Sequence, residues 1–334
     1  MAFTSTQNEG INNHDNEGHP SQGSVPTSVN LRLTNGYEYN SLTDDDNKSN
    51  DCCCGNEKIR NTMLSLILIG FAGLDMSPTI DSRKFYVNMD GDDYLCNDIY
   101  PCQSFVNAYT IIWGALQMYI AAGIYTIIGL WMNYRYSKRV GFILIFIGIC
   151  YFVGQCWYLG SYVSFSKEFT GLDRRILDAN VTYYFGEALL PSMIAVILGL
   201  DLWIHVMQDL GKRLFINLIA IFIVGGICAP SSYYVYANEK NNPQYIQTNA
   251  LMIIAIGYII LFAVSLVYII SYIIYRNALS KCFMKVIGIA LIVGGIVIFY
   301  GNMSDNYGLE TYAWMTLVFG YSLIWGFDSI CVSR

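Results

Sequence analysis

Four acidic residues stand inside strongly apolar stretches of this sequence: Asp75, Glu187, Asp201 and Asp328. A charged side chain at the centre of a bilayer costs about 2.5–3.5 kcal/mol on insertion scales, so such residues are candidates for handling ions, protons or small solutes. Asp201 and Asp328 form the more informative pair, because each closes a similar triplet, Gly199-Leu200-Asp201 and Gly326-Phe327-Asp328. His205 follows Asp201 by four residues, so a helix puts both on one face. That pairing suits a proton-linked acid and base, a cation site, or half of a metal site. Its ordinary alternative is a histidine at the membrane surface, with Asp201 reaching water or a basic loop residue. Asp75 falls about one turn from the expected end of its segment, and Glu187 falls at a segment entrance.

Other chemistry finds little support. The chain has three histidines, and His14 and His19 lie in the polar N-terminal region. Haem-bridging pairs, zinc-binding HExxH helices and multi-histidine metal centres are therefore excluded, and no metal or cofactor is expected. There is no P-loop and no GxSxG nucleophile motif, so catalysis is poorly supported.

These candidates must be held by membrane helices. Of the residues, 54% are hydrophobic and 13% charged, with mean hydropathy +0.39. About 20 apolar residues are needed to cross a hydrocarbon core of about 30 Å. Eight segments qualify, at about 62–79, 105–133, 140–164, 184–206, 214–236, 249–275, 286–301 and 312–331. The expected fold class is an all-α polytopic membrane protein. Residues 1–60 hold nine acids against four bases and account for most of the net charge of −6. This segment is rich in Asn, Ser, Gly and Asp, so it reads as a disordered acidic tail. It lacks the features of a secretory signal or mitochondrial presequence, leaving the first span as the first targeting signal. The rest of the chain is close to neutral and offers no basic stripe for a nucleic acid.

Orientation follows from the bases in the connections. Eleven of them, including Lys58, Arg60, Arg135, Lys212, Arg213 and Arg276, fall on one side of an eight-span arrangement, and six fall on the other. The richer side is assigned to the cytosol, with both termini, in a plasma membrane or other secretory-pathway membrane. Cys96 and Cys102 fall in the first opposite loop, where an oxidising lumen permits a disulfide. Asn180-Val181-Thr182 is a glycosylation sequon in the second opposite loop. Cys52, Cys53 and Cys54 precede the first span and suit S-palmitoylation. Pro78 and Pro230 read as punctuation near helix ends. Asn107, Gln117, Gln155 and Asn217 read as hydrogen-bond partners between helices.

The two halves also match in order. Gly73 and Pro78 correspond to Gly225 and Pro230, Tyr134-Arg135 to Tyr275-Arg276, and Gly141, Gly148 and Gly154 to Gly288, Gly295 and Gly301. Four ordered matches suggest a parallel 4+4 duplication, with halves 61–208 and 209–334. Transporters are often built from repeats with a site at the repeat interface. The leading functional expectation is a small-solute or ion transporter or channel. In it, Asp201, His205 and Asp328 line a cytosol-facing cavity for a proton, cation or small solute. Its rivals are a non-transporting scaffold, accessory subunit or receptor, and a protein that modifies or moves lipid.

Overall fold

The structure is a computed structural model describing residues 57–90, 102–132, 134–169, 174–204, 210–239, 248–275, 279–303 and 309–332. The described residues form eight helices: α1 (Glu57–Asp90), α2 (Cys102–Met132), α3 (Tyr134–Phe169), α4 (Arg174–Ile204), α5 (Leu210–Glu239), α6 (Thr248–Tyr275), α7 (Lys281–Met303) and α8 (Leu309–Val332). No strand occurs among the described residues.

Helices α1 to α7 are each long and apolar enough to cross a membrane. Helix α8 has 24 residues, or about 36 Å at 1.5 Å per residue. Its glycines, tyrosines, tryptophans and Asp328 interrupt its apolar run, and it stands outside those seven. The outward faces explain why lipid is the fitting solvent. On α7, Val286, Ile289, Val293, Ile296 and Tyr300 are all exposed, at the three- and four-residue spacing of one helix face. On α3, Phe142, Phe146, Ile149 and Val153 do the same. Water-soluble monomers rarely expose continuous apolar stripes of this size. The chain has the build of a multi-pass integral membrane protein.

Each helix packs on its neighbours in sequence, and α8 closes back on α1, giving a ring of eight. Across the middle, α1 touches α4, and α8 touches both α4 and α5. These four are therefore the central helices. Their interior is filled by large rings: Phe71 packs against Tyr151 at 5.9 Å and Trp314 at 5.1 Å between ring centres.

Small residues set how closely the outer helices approach. A Cβ added at Gly141 would sit 2.6 Å from the Gly199 carbonyl oxygen, so α3 and α4 touch backbone to backbone. The corresponding seam joins α7 to α8, where a Cβ at Gly288 would sit 2.5 Å from the Gly326 carbonyl oxygen. Between helices in lipid, such close approach is what small residues permit. The match extends to α2 and α6: Gly154 faces Ile111 and Ile112, and Gly301 faces Ile253 and Ile254.

Several boundaries differ from those expected. Pro78 and Pro230 lie inside α1 and α5, and Pro191 lies inside α4. Proline in a helix removes one backbone donor, which neighbouring groups in a bundle can offset. Helix α1 thus continues for 12 residues past Pro78, so Asp75 is well inside it. The loop expected at 165–183 is mostly helix, because α3 reaches Phe169 and α4 begins at Arg174. Asn180 consequently stands in an early turn of α4 rather than in a loop. Of the four neutral polar residues, Asn217 alone is seen to bridge helices. Gln155 donates to the Tyr151 hydroxyl and Asn107 accepts from Gln103, each within its own helix, while Gln117 is exposed.

Candidate functional site

The central helices bring their ends together at one end of the bundle. Arg60 is in the first turn of α1 and Arg213 in the first turn of α5, while Asp201 and Asp328 are in the last turns of α4 and α8. Helix dipoles favour the reverse arrangement, acids at N-termini and bases at C-termini, by about 0.3–1 kcal/mol each. The placement therefore answers to pairing between helices and not to the field of each helix.

The pairing is direct. The Arg60 guanidinium donates to the Asp328 carboxylate at 3.2 Å, with both side chains buried. The same guanidinium lies 5.8 Å from the centre of the Trp325 ring. Arg213 reaches Glu57 at 3.0 Å and Asp201 at 3.7 Å. Asn61 donates to Asp201 at 3.3 Å. Both guanidinium groups act electrostatically on both carboxylates, so the four charges form one network. Asp201 and Asp328 thus belong to one cluster.

The cluster surrounds a void of about 10 Å³ lined by Arg60, Asn61, Asp201, Arg213, Asn217 and Trp325. That is about the space needed for one water molecule. In the cluster, Arg60 Nη2 and Asp328 Oδ1 are buried without a hydrogen-bond partner, while Asp201 Oδ1 and Arg213 Nε face each other in the 3.7 Å ion pair, longer than a hydrogen bond. A buried polar atom left unpaired costs about 1–3 kcal/mol. The wall of the void itself is apolar, with Leu64, Ile197 and Leu198 completing its lining.

A second polar group lies deeper. Glu187 precedes Asp201 by 14 residues on α4, a separation of about 21 Å along the helix. The Tyr183 hydroxyl donates to its carboxylate, and Cys228 and Tyr258 also act on it electrostatically. The Tyr183 and Tyr258 rings lie 6.4 Å apart. Between the two groups is another void of about 10 Å³, walled mainly by Leu190, Ile221, Val224, Leu261 and Val318, with Tyr258, Tyr321 and Ser322 at its edge. The Tyr321 hydroxyl donates to Asn217 Oδ1, and Asn217 lines the first void.

The remaining candidates are dispersed. Asp75 is buried 14 residues along α1 from Asn61, about 21 Å away, and so is apart from the charge cluster. His205, Cys96, the Cys52-Cys53-Cys54 run and the acidic tail lie outside the described residues. Cys102 opens α2 and is buried. Sequence reading missed Arg60, Arg213, Glu57 and Trp325 as site residues, treating the bases as markers of orientation. The available signal was electrostatic: two carboxylates near helix ends require countercharges, and Arg60 and Arg213 start the neighbouring spans. Compared with protein-family models, curated proteins and solved structures, the chain matches none, so its chemistry rests on its own residues.

Proposed function

We propose that this protein is an eight-span membrane protein that moves a small solute or ion, with the Arg60, Asp201, Arg213 and Asp328 cluster as its gate. The observation that supports this reading most is the burial of four charges, one from each central helix, in one network. As a purely structural joint the cluster is a poor choice. Replacing a buried ion pair by packed apolar residues is often neutral or stabilising. A gate benefits from the charges, because Arg213 contacts two carboxylates and partners can exchange without stranding a charge.

The reading carries a topology. Helix α8 is the eighth span, both ends of the chain face the cytosol, and the gate closes the cytosolic end. The two four-helix halves are parallel repeats, which accounts for the matching glycine seams and the matching Asp201 and Asp328. A secretory-pathway or plasma membrane suits the proposed Cys96–Cys102 disulfide, glycosylation at Asn180 and palmitoylation at Cys52, Cys53 and Cys54.

The test uses purified protein in liposomes, measuring flux of H⁺, Na⁺, K⁺ and Cl⁻. Asp201→Asn and Asp328→Asn should each lower the flux at least tenfold with protein content unchanged. Wild-type rates from both variants would remove the reading. The closed interior favours one rival, a scaffold or accessory subunit in which the cluster acts as a clasp. In that case no flux is seen, and the same variants alter only stability or partner assembly.

A further inference from the structure

Gln117 is the middle residue of α2 and is exposed on its outer face. Two contacts fix its depth. Toward one end of α2, the Arg83 side chain donates to Thr110 at 2.9 Å, and a charged group belongs at the hydrocarbon boundary. Toward the other end, the Trp131 indole donates to Thr62 at 3.0 Å, as tryptophans do at membrane interfaces. Thr110 and Trp131 are 21 residues apart, about 31 Å of helix, which matches a hydrocarbon core of about 30 Å. Gln117 is seven residues inside Thr110, about 10 Å along the helix, farther than its side chain reaches.

The amide of Gln117 makes no hydrogen bond among the described residues. The other exposed amides among them, Asn88, Gln103, Asn238 and Asn249, stand within two residues of a helix end. Helix α6 shows how the corresponding face is built for lipid. Gly154 packs on Ile111 and Ile112 of α2 as Gly301 packs on Ile253 and Ile254 of α6. In that register Gly114 and Gln117 correspond to Ile256 and Ile259, which are both exposed. On α2, a Cβ at Gly114 would meet nothing within 4 Å, and Ala121 is exposed one turn beyond Gln117. Gly114, Gln117 and Ala121 share one face at three- and four-residue spacing. Small residues on both sides of the amide let a second helix approach closely.

We propose that this face of α2 binds the same face of α2 in a second copy of the chain, with the two Gln117 amides hydrogen-bonded to each other inside the bilayer. The chemistry of the amide selects the partner. A glutamine offers two donors and an acceptor, so its complement is a group that offers both at the same depth. A second copy inserted in the same orientation supplies that group by symmetry. In a two-fold contact, residues near the axis meet their own equivalents. Lipid tails supply neither donor nor acceptor. The pairing is independent of the transport reading, and each copy keeps its own charge cluster.

The test uses purified full-length protein in liposomes, labelled at a C-terminal tag with donor and acceptor dyes. Wild-type protein should show energy transfer that falls as lipid is added. Gln117→Leu should weaken association by roughly three- to twentyfold, the span measured for interhelical hydrogen bonds in bilayers. Its melting temperature should be no lower than that of the wild type, since the change removes a polar group from lipid. Mild oxidation gives the geometry: Gln117→Cys should form a crosslinked dimer, and Ile259→Cys should give only the wild-type background. Should Gln117→Leu fail to fold, the crosslink decides. Wild-type protein that stays monomeric at every lipid ratio would overturn the inference, including the case in which a different membrane protein covers Gln117. A dimer that Gln117→Leu leaves unchanged, or one that crosslinks through Ile259→Cys instead, would overturn it as well.

Discussion

Arg60 and Asp328 show how much depends on single side chains in this bundle. Both side chains are about 2% exposed and 3.2 Å apart, so solvent does little to screen either. Removing one partner of a buried pair costs about 3–5 kcal/mol, because the other charge is left behind. Arg60→Ala should therefore destabilise the protein by about that amount, seen as a lower melting temperature in detergent. The double variant Arg60→Gln with Asp328→Asn should recover much of the loss, since no charge is stranded. A double variant no more stable than Arg60→Ala would show that the pair does not act as a unit. Glu57 offers a contrast. Its side chain is 44% exposed, so Glu57→Gln should cost less than about 1 kcal/mol, as for a surface pair.

At the scale of the helices, two seemingly similar substitutions should behave oppositely. A Cβ at Gly141 would meet the Gly199 backbone at 2.6 Å, whereas a Cβ at Gly73 meets nothing within 4 Å. Gly141→Ala should force α3 away from α4 and cost about 1–3 kcal/mol, the usual range for overpacking. Gly73→Ala should be neutral or stabilising by up to about 1 kcal/mol from helix propensity. Melting of the two variants side by side checks both. Part of this was legible from sequence: of the glycines that match between the halves, Gly148, Gly154, Gly225, Gly288 and Gly295 all abut another helix. The helix ends were not, because hydropathy measures the lipid-immersed part and these helices run beyond it. Arg60 and Arg213 were set outside the spans for that reason, although each belongs to a first helical turn. Asp201 and Asp328 were legible as a pair because acids in apolar sequence are conspicuous. Pro78 and Pro230 misled because proline breaks helices more readily in water than in a packed bundle.

For the whole molecule, contacts between chain quarters predict how it can be divided. The interface between the first four helices and the last four is made by α4 with α5 and by α1 with α8, supplemented by α4 with α8. Segments 1–206 and 207–334, expressed together, should therefore assemble, and a tag on one should recover the other. Recovery of the tagged segment alone would mean that the α4–α5 connection is needed for assembly.

The bond between Arg60 and Asp328 spans 268 positions of sequence. Synthesis runs at about 5–20 residues per second, so on the order of 10–60 s separate the emergence of the two residues. Throughout that interval the nascent protein carries a guanidinium at its first helix with its eventual counterion not yet made. Chains that stop before α8 keep Asp201 near this cation but lack its hydrogen-bond partner Asp328, and the flank of α1 that α8 covers stays bare.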